Sequence, residues 1–207
     1  MKSTTRAAVA LCAAVLPLVV GASAASAAPS PDRASSTWLS RQLDQGLVHN
    51  DQYDFDDYGL PADVAFALDA TGHRAGAVLY IRRALARHVD SWTTGVDFGS
   101  ADVYAGSVAK AVVVAQVTGA NPRSFGGVDL VKRLNARVAT EAPIVGRIQD
   151  RAADDFANTI GQAFAVRGLA KARSARADEA LRFLLKQQCD AGYFRLSFAK
   201  PGAAAQD

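Results

Sequence analysis

The sequence predicts an all-α fold, an α/α toroid of inner and outer helices, and three observations carry that expectation. Helices of two kinds alternate. Some stretches are apolar on every face, as in Val64-Ala65-Phe66-Ala67-Leu68, and others set one apolar stripe (Ala177, Leu181, Leu184, Leu185) against charge (Asp178, Glu179, Arg182, Lys186). A helix with no polar face has no side to give to water and belongs in an inner layer, sheathed by the striped ones. The pattern also recurs: Gly119 closes a second copy 47 residues after Gly72 closes the first, and Gln162 of a third copy follows Lys110 of the second by 52 residues. Periods of about 20 to 50 residues mark architectures in which no unit buries its apolar face alone. Finally, Pro61 stands where a first helical turn tolerates a missing N–H, and Gly72 where the left-handed conformation ends a helix.

Residues 1–27 combine a basic start (Lys2, Arg6), an apolar run from Ala7 to Val20 and the small-residue sequence Ala25-Ser26-Ala27. These features predict a signal peptide cut after Ala27 and a secreted, extracellular protein. The run falls short of the roughly 20 apolar residues that span a bilayer, so no membrane span is expected in the mature chain. Cys12 sits in the middle of the run, which argues against a lipid anchor.

Residues 28–36 read as a polar linker and 37–198 as the repeat domain. An outer-type helix at Trp38–Leu43 leads to Gly46, and an acidic loop then feeds the first inner helix, which ends at Gly72. The outer helix Ala75–Val89 (Arg82, Arg83, Arg87) leads to the inner copy Tyr104–Gly119. The outer helix Val128–Val138 (Lys132, Arg133, Arg137) leads to the inner copy Phe156–Leu169, and Ala175–Gln188 closes the series. Val64, Phe66, Leu68, Val112, Val114, Phe164 and Val166 are the expected inner-layer side chains. Residues 199–207 show no periodicity and read as a disordered tail. Three inner helices amount to an incomplete half-ring.

The 23 Lys+Arg against 20 Asp+Glu become 21 against 20 once Lys2 and Arg6 leave with the signal peptide. The basic residues sit singly on outer faces beside acids, so nothing recruits nucleic acid. Cleavage also removes Cys12 and leaves Cys189 as the lone cysteine of an exported chain. A disulfide partner beyond residue 207 is expected for it, with a buried thiol as the alternative.

At Gln188-Cys189-Asp190-Ala191-Gly192-Tyr193-Phe194 the chain resembles the Q-x-x-x-G-x-W/F motif of the prenyltransferase and squalene oxidase/cyclase repeat superfamily. The preceding Ala-x-x-Phe-Leu-Leu helix and the period near 50 are also similar to that superfamily, and the likeness covers Trp38 to Phe198. It implies the (α/α)6 toroid, of which this chain holds about half the helices, and a concavity lined with apolar residues. The function expected is an exported, non-catalytic protein binding a hydrophobic small molecule or a protein partner, without cofactor.

The alternative is an enzyme of the class II terpene-cyclase type. Asp54-Phe55-Asp56-Asp57 matches the D-x-D-D motif of those enzymes. The likeness implies Asp56 as proton donor, tuned by Asp54 and Asp57, because protonating an alkene needs a carboxyl held neutral by burial and like charge. Acid followed by an aromatic also precedes the other inner helices, at Asp102-Val103-Tyr104 and Asp154-Asp155-Phe156, and a feature repeated at helix starts reads as caps. In a toroid, Asp57, Asp102 and Asp155 gather at one mouth, though without the spacing of a calcium loop. His49, His73 and His88 lack zinc-ligand spacing, and no nucleophile elbow, phosphate loop or thioester motif occurs.

Overall fold

The computed structural model describes residues 30–200 and 203. The expected signal peptide, the start of the linker and most of the tail lie outside the described residues. The described chain is mostly helical: α1 (Pro31–Arg41), α2 (Gly59–Thr71), α3 (Ala75–Arg87), α4 (Val89–Thr93), α5 (Ala105–Val117), α6 (Leu130–Asn135), α7 (Thr159–Lys171) and α8 (Ala177–Leu185). One antiparallel hairpin pairs β1 (Val48–Asn50) with β2 (Phe55–Asp57), with His49 opposite Asp56.

The most apolar helix lies at the centre. In α5, Val108, Ala109, Ala111, Val112, Val114 and Ala115 are fully buried, and the helix packs against both α2 and α7. Small residues let α5 and α7 approach closely. A Cβ placed on Gly161 would stand 3.0 Å from the Gly106 Cα, and one on Gly168 would stand 2.8 Å from a Val112 methyl. Around these three helices α1 and α3 pack on α2, α6 on α5 and α7, and α8 on α7. Among the surrounding helices α3 buries one stripe, hiding Val78, Ile81, Ala84 and Leu85 and exposing Arg83 and Arg87. In α8 the expected stripe is displaced: Ala180 and Phe183 are buried, while Leu181 and Leu185 are exposed.

A bridged turn follows the helices that precede α2, α5, α7 and the end of the described chain. Its pairs are Asp44–Leu47, Thr94–Val103, Val138–Ile148 and Gln188–Phe194. In the last, Gly192 takes φ +93°, the Cys189 N–H donates to Tyr193 O at 2.9 Å, and Gln188 Nε2 donates to Gly192 O at 2.7 Å. The Gln188-to-Phe194 motif is thus a turn closed by its own glutamine, with glycine supplying the left-handed backbone.

Of the expected inner residues, Val64, Leu68, Val112 and Val114 are buried, while Phe66, Phe164 and Val166 are half-buried. The two phenylalanines stack with ring centroids 5.9 Å apart. Because α5 lies between α2 and α7, the rings meet in front of it, on an open side of the layer.

Three boundaries differ from expectation. The helix expected from Thr37 begins at Pro31, inside the expected linker. Proline suits a first turn, and Ser36 inside that helix bonds Thr71 at 3.1 Å. The acidic stretch before α2 is a β-hairpin, turned by Asn50 Oδ1 accepting the Gln52 and Tyr53 N–H groups. The helix expected over 128–138 shrinks to Leu130–Asn135. Val128 is bridged to Phe125, and beyond Ala136 the backbone pairs with the following loop through Ala139 N–H to Arg147 O and Gln149 N–H to Arg137 O, both at 2.8 Å. The expected tail is held at its start, where the Ala199 N–H donates to Gln187 Oε1 at 2.8 Å.

Candidate functional site

The N-terminal ends of α2, α5 and α7 open on one cleft of about 390 Å³. Four aromatic side chains contribute to its walls: Trp92 from α4, Tyr104 ahead of α5, Phe156 ahead of α7, and Phe164 one turn into α7. Trp92 is buried as part of the core, and Tyr104 is held by its N–H donating to Thr93 O at 3.0 Å.

Two charged groups face this space. Lys110, the one charge in α5, donates from Nζ to the Asp63 carboxylate at 2.8 Å and to Gly59 O at 3.0 Å. The same Nζ stands 5.8 Å from the Phe164 ring centroid, so carboxylate, carbonyl and π-face together compensate its partial burial. Asp150 accepts the Ala105 N–H at 2.6 Å and the Phe156 N–H at 3.1 Å, capping α5 from far along the chain. Burial lifts its carboxyl above the ordinary 3.8, against the pull of those two N–H donors. At α7 the capping acceptor is Asn158 Oδ1, which takes the Gly161 N–H at 3.0 Å. Every polar group named here has a partner in the fold. The arrangement offers aromatic area and a fixed ion pair, with the Ser107 hydroxyl also on its wall.

The D-x-D-D carboxylates are elsewhere. Asp54 sits at the hairpin with 98% of its side chain exposed, and Asp56 bonds His49 Nδ1 across the strands at 3.1 Å. Asp57 Oδ1 accepts the Leu60 N–H at 2.7 Å, capping α2. None of the three lines the cleft. Asp155 turns to Arg147 (2.7 Å) and the Asp150 N–H, so the acid at the mouth is Asp150 in its place. Cys189 is buried in the turn after α8, 3% exposed. Among the described residues no group of three His, Cys, Asp or Glu side chains could hold a metal ion, and no helix is long and apolar enough to cross a membrane.

No known relative decides between the readings. No family model, curated protein or solved structure matches the chain.

Sequence reasoning passed over Lys110, Asp150 and Trp92 as site residues. Lys110 carried a readable signal, a single charge inside an otherwise apolar inner helix, which must either meet a partner or face a cavity. Asp150 carried none, because its role as a cap for α5 depends on a contact 45 residues away.

Proposed function

We propose that the protein is an exported, non-catalytic repeat protein of the α/α-toroid type, similar to the prenyltransferase and squalene oxidase superfamily. In this reading the cleft at the inner-helix N-termini binds a hydrophobic ligand with one polar end. The observation that carries the binding reading is the gathering of Trp92, Tyr104, Phe156 and Phe164 around a cleft whose two charged groups, Lys110 and Asp150, are already paired. The toroid reading is supported by the alternation of central and surrounding helices and by the recurring bridged turns. Export after cleavage at Ala27 is supported by the leader-like composition of residues 1–27.

The cyclase alternative asks for a buried acid. Exposure of Asp54, pairing of Asp56 with His49 and the capping role of Asp57 all weigh against it.

The chain has two tryptophans, so Trp38→Phe leaves Trp92 as the sole reporter in the cleft. Titrating that variant with farnesol is expected to change Trp92 fluorescence saturably, and adding Tyr104→Ala to weaken binding about tenfold through loss of an aromatic wall. A linear, unsaturable response, or one indifferent to Tyr104→Ala, overturns the reading. Mass spectrometry of secreted protein is expected to find Ala28 at the N-terminus.

A further inference from the structure

At the two flanks of the layer formed by α2, α5 and α7, where α1 packs on α2 and α8 on α7, apolar side chains stay exposed in the described chain. On α7, Gly161, Ala165 and Gly168 are buried toward α5, while Ile160, Ala163, Arg167 and Ala170, on the other side of the helix, are exposed. Ile160 is 59% exposed, and with Phe164, Leu184, Phe194 and Leu196 it walls an open groove of about 580 Å³ in which Arg167 is the one charge. Isolated apolar residues on a surface are ordinary, but a contiguous apolar groove is a contact surface. The opposite flank, made by α1, the hairpin and α2, exposes Trp38, Phe55 and Leu60, the last by 50%.

Charge divides these flanks. From Pro31 to His73, the stretch that forms α1, the hairpin and α2, the chain has eight aspartates against two arginines. From Thr159 to Lys200 it has eight lysines and arginines against three acids. We propose that the two flanks are halves of one contact, in which the α7–α8 groove of one copy takes the α1–α2 edge of a second copy of this chain, head to tail. Pairing either flank with itself sets like charges face to face, whereas head-to-tail pairing sets opposite charges together and covers both apolar surfaces. Two copies joined at both flanks bury both grooves in a closed pair. The groove shares Ile160 and Phe164 with the rim of the ligand cleft, so the contact is tested without ligand, by mass alone, and its failure is distinguishable from a failure to bind farnesol.

The test is the mass in solution of the protein secreted from the full chain, by light scattering or sedimentation, with Ile160→Glu (groove flank) and Leu60→Glu (edge flank). Both residues are half or more exposed, and thermal melting checks that each variant stays folded. Wild type is expected at the mass of two chains, dissociating as salt rises. Each variant alone is expected at the mass of one, with affinity lowered about tenfold or more by a carboxylate buried in an apolar contact. Mixing them is expected to restore pairs of one chain of each kind, because one sound junction survives between the intact edge of the first and the intact groove of the second. Wild type at the mass of one chain overturns the proposal. So does a Leu60→Glu protein that still dimerises while Ile160→Glu does not, which is the signature of groove-to-groove pairing, and so does a mixture that fails to associate.

Discussion

Gln162 and Ile148 are joined inside the protein: both are fully buried, and Gln162 Oε1 accepts the Ile148 N–H at 2.9 Å. Gln162 Nε2 donates in turn to Gly146 O at 2.9 Å and Ala180 O at 3.0 Å. One side chain therefore satisfies three backbone groups and ties the loop ahead of α7 to α8. Gln162→Leu keeps the volume but orphans all three, at an expected cost of roughly 2–4 kcal/mol. Urea denaturation measures it, and a loss below about 1 kcal/mol means that these groups find other partners.

The α5–α7 approach predicts an asymmetry between two glycines. A Cβ on Gly161 meets the Gly106 Cα at 3.0 Å and Ile148 Cδ1 at 3.1 Å, whereas a Cβ on Gly106 meets nothing nearer than 3.9 Å. Gly161→Ala is expected to cost about 1–3 kcal/mol through overpacking. Gly106→Ala, in the first turn of α5, is expected to be neutral or to stabilise by up to about 0.5 kcal/mol, less than alanine gains in a helix interior. Equal melting temperatures for the two variants would refute the close packing.

The hairpin predicts a shifted histidine. His49 is raised above the ordinary 6.5, first by its hydrogen bond to Asp56. A raised value means that the contribution to stability is fully present below 6.5 and fades as pH climbs through the folded-state value. In an NMR titration Asp56→Asn is expected to bring the His49 midpoint back down. A midpoint that does not move shows that the pair is not formed in solution.

Asp32 behaves in the opposite sense. Hydrogen bonds from Ser30 and then His73 hold its carboxyl at about 2. Its contribution is therefore present above 3.8 and lost as pH falls toward 2. Replacing His73 with alanine is expected to raise the Asp32 midpoint without returning it to the ordinary value, since the Ser30 bond remains.

The three acids of the D-x-D-D stretch are expected to separate by stability. Asp57→Ala loses the α2 cap and costs about 1 kcal/mol, while Asp54→Asn, which suits the left-handed backbone at that position (φ +52°), stays within about 0.5 kcal/mol of wild type. No cyclic product is expected from squalene. Product that disappears in Asp56→Asn would restore the enzyme reading.

The helices were legible because burial writes itself into periodicity, and the apolar run through Leu68 is buried at Val64, Ala65 and Leu68; the stripe expected in α8 was misplaced, since Leu181 and Leu185 are exposed and Ala180 and Phe183 carry the burial. Gly72 marked the end of α2, where it takes φ +66°. The hairpin was hidden because β1 and β2 are three residues each, too short for alternation to show. At the cleft, the four-residue acidic motif drew attention by its local spelling, but a carboxylate's role is set by what it touches. Asp57 touches its own helix end, and Asp150 touches one that the linear sequence does not bring near it.

That last contact has a consequence in time. A ribosome adding about 5–20 residues per second delivers Asp150 roughly two to nine seconds after Ala105. Through that interval the most enclosed helix of the molecule waits with the N–H at its leading end unanswered, while α1 to α4 already have their partners on the near side. The molecule is thus finished at its centre from behind, by a residue that follows the helix it caps.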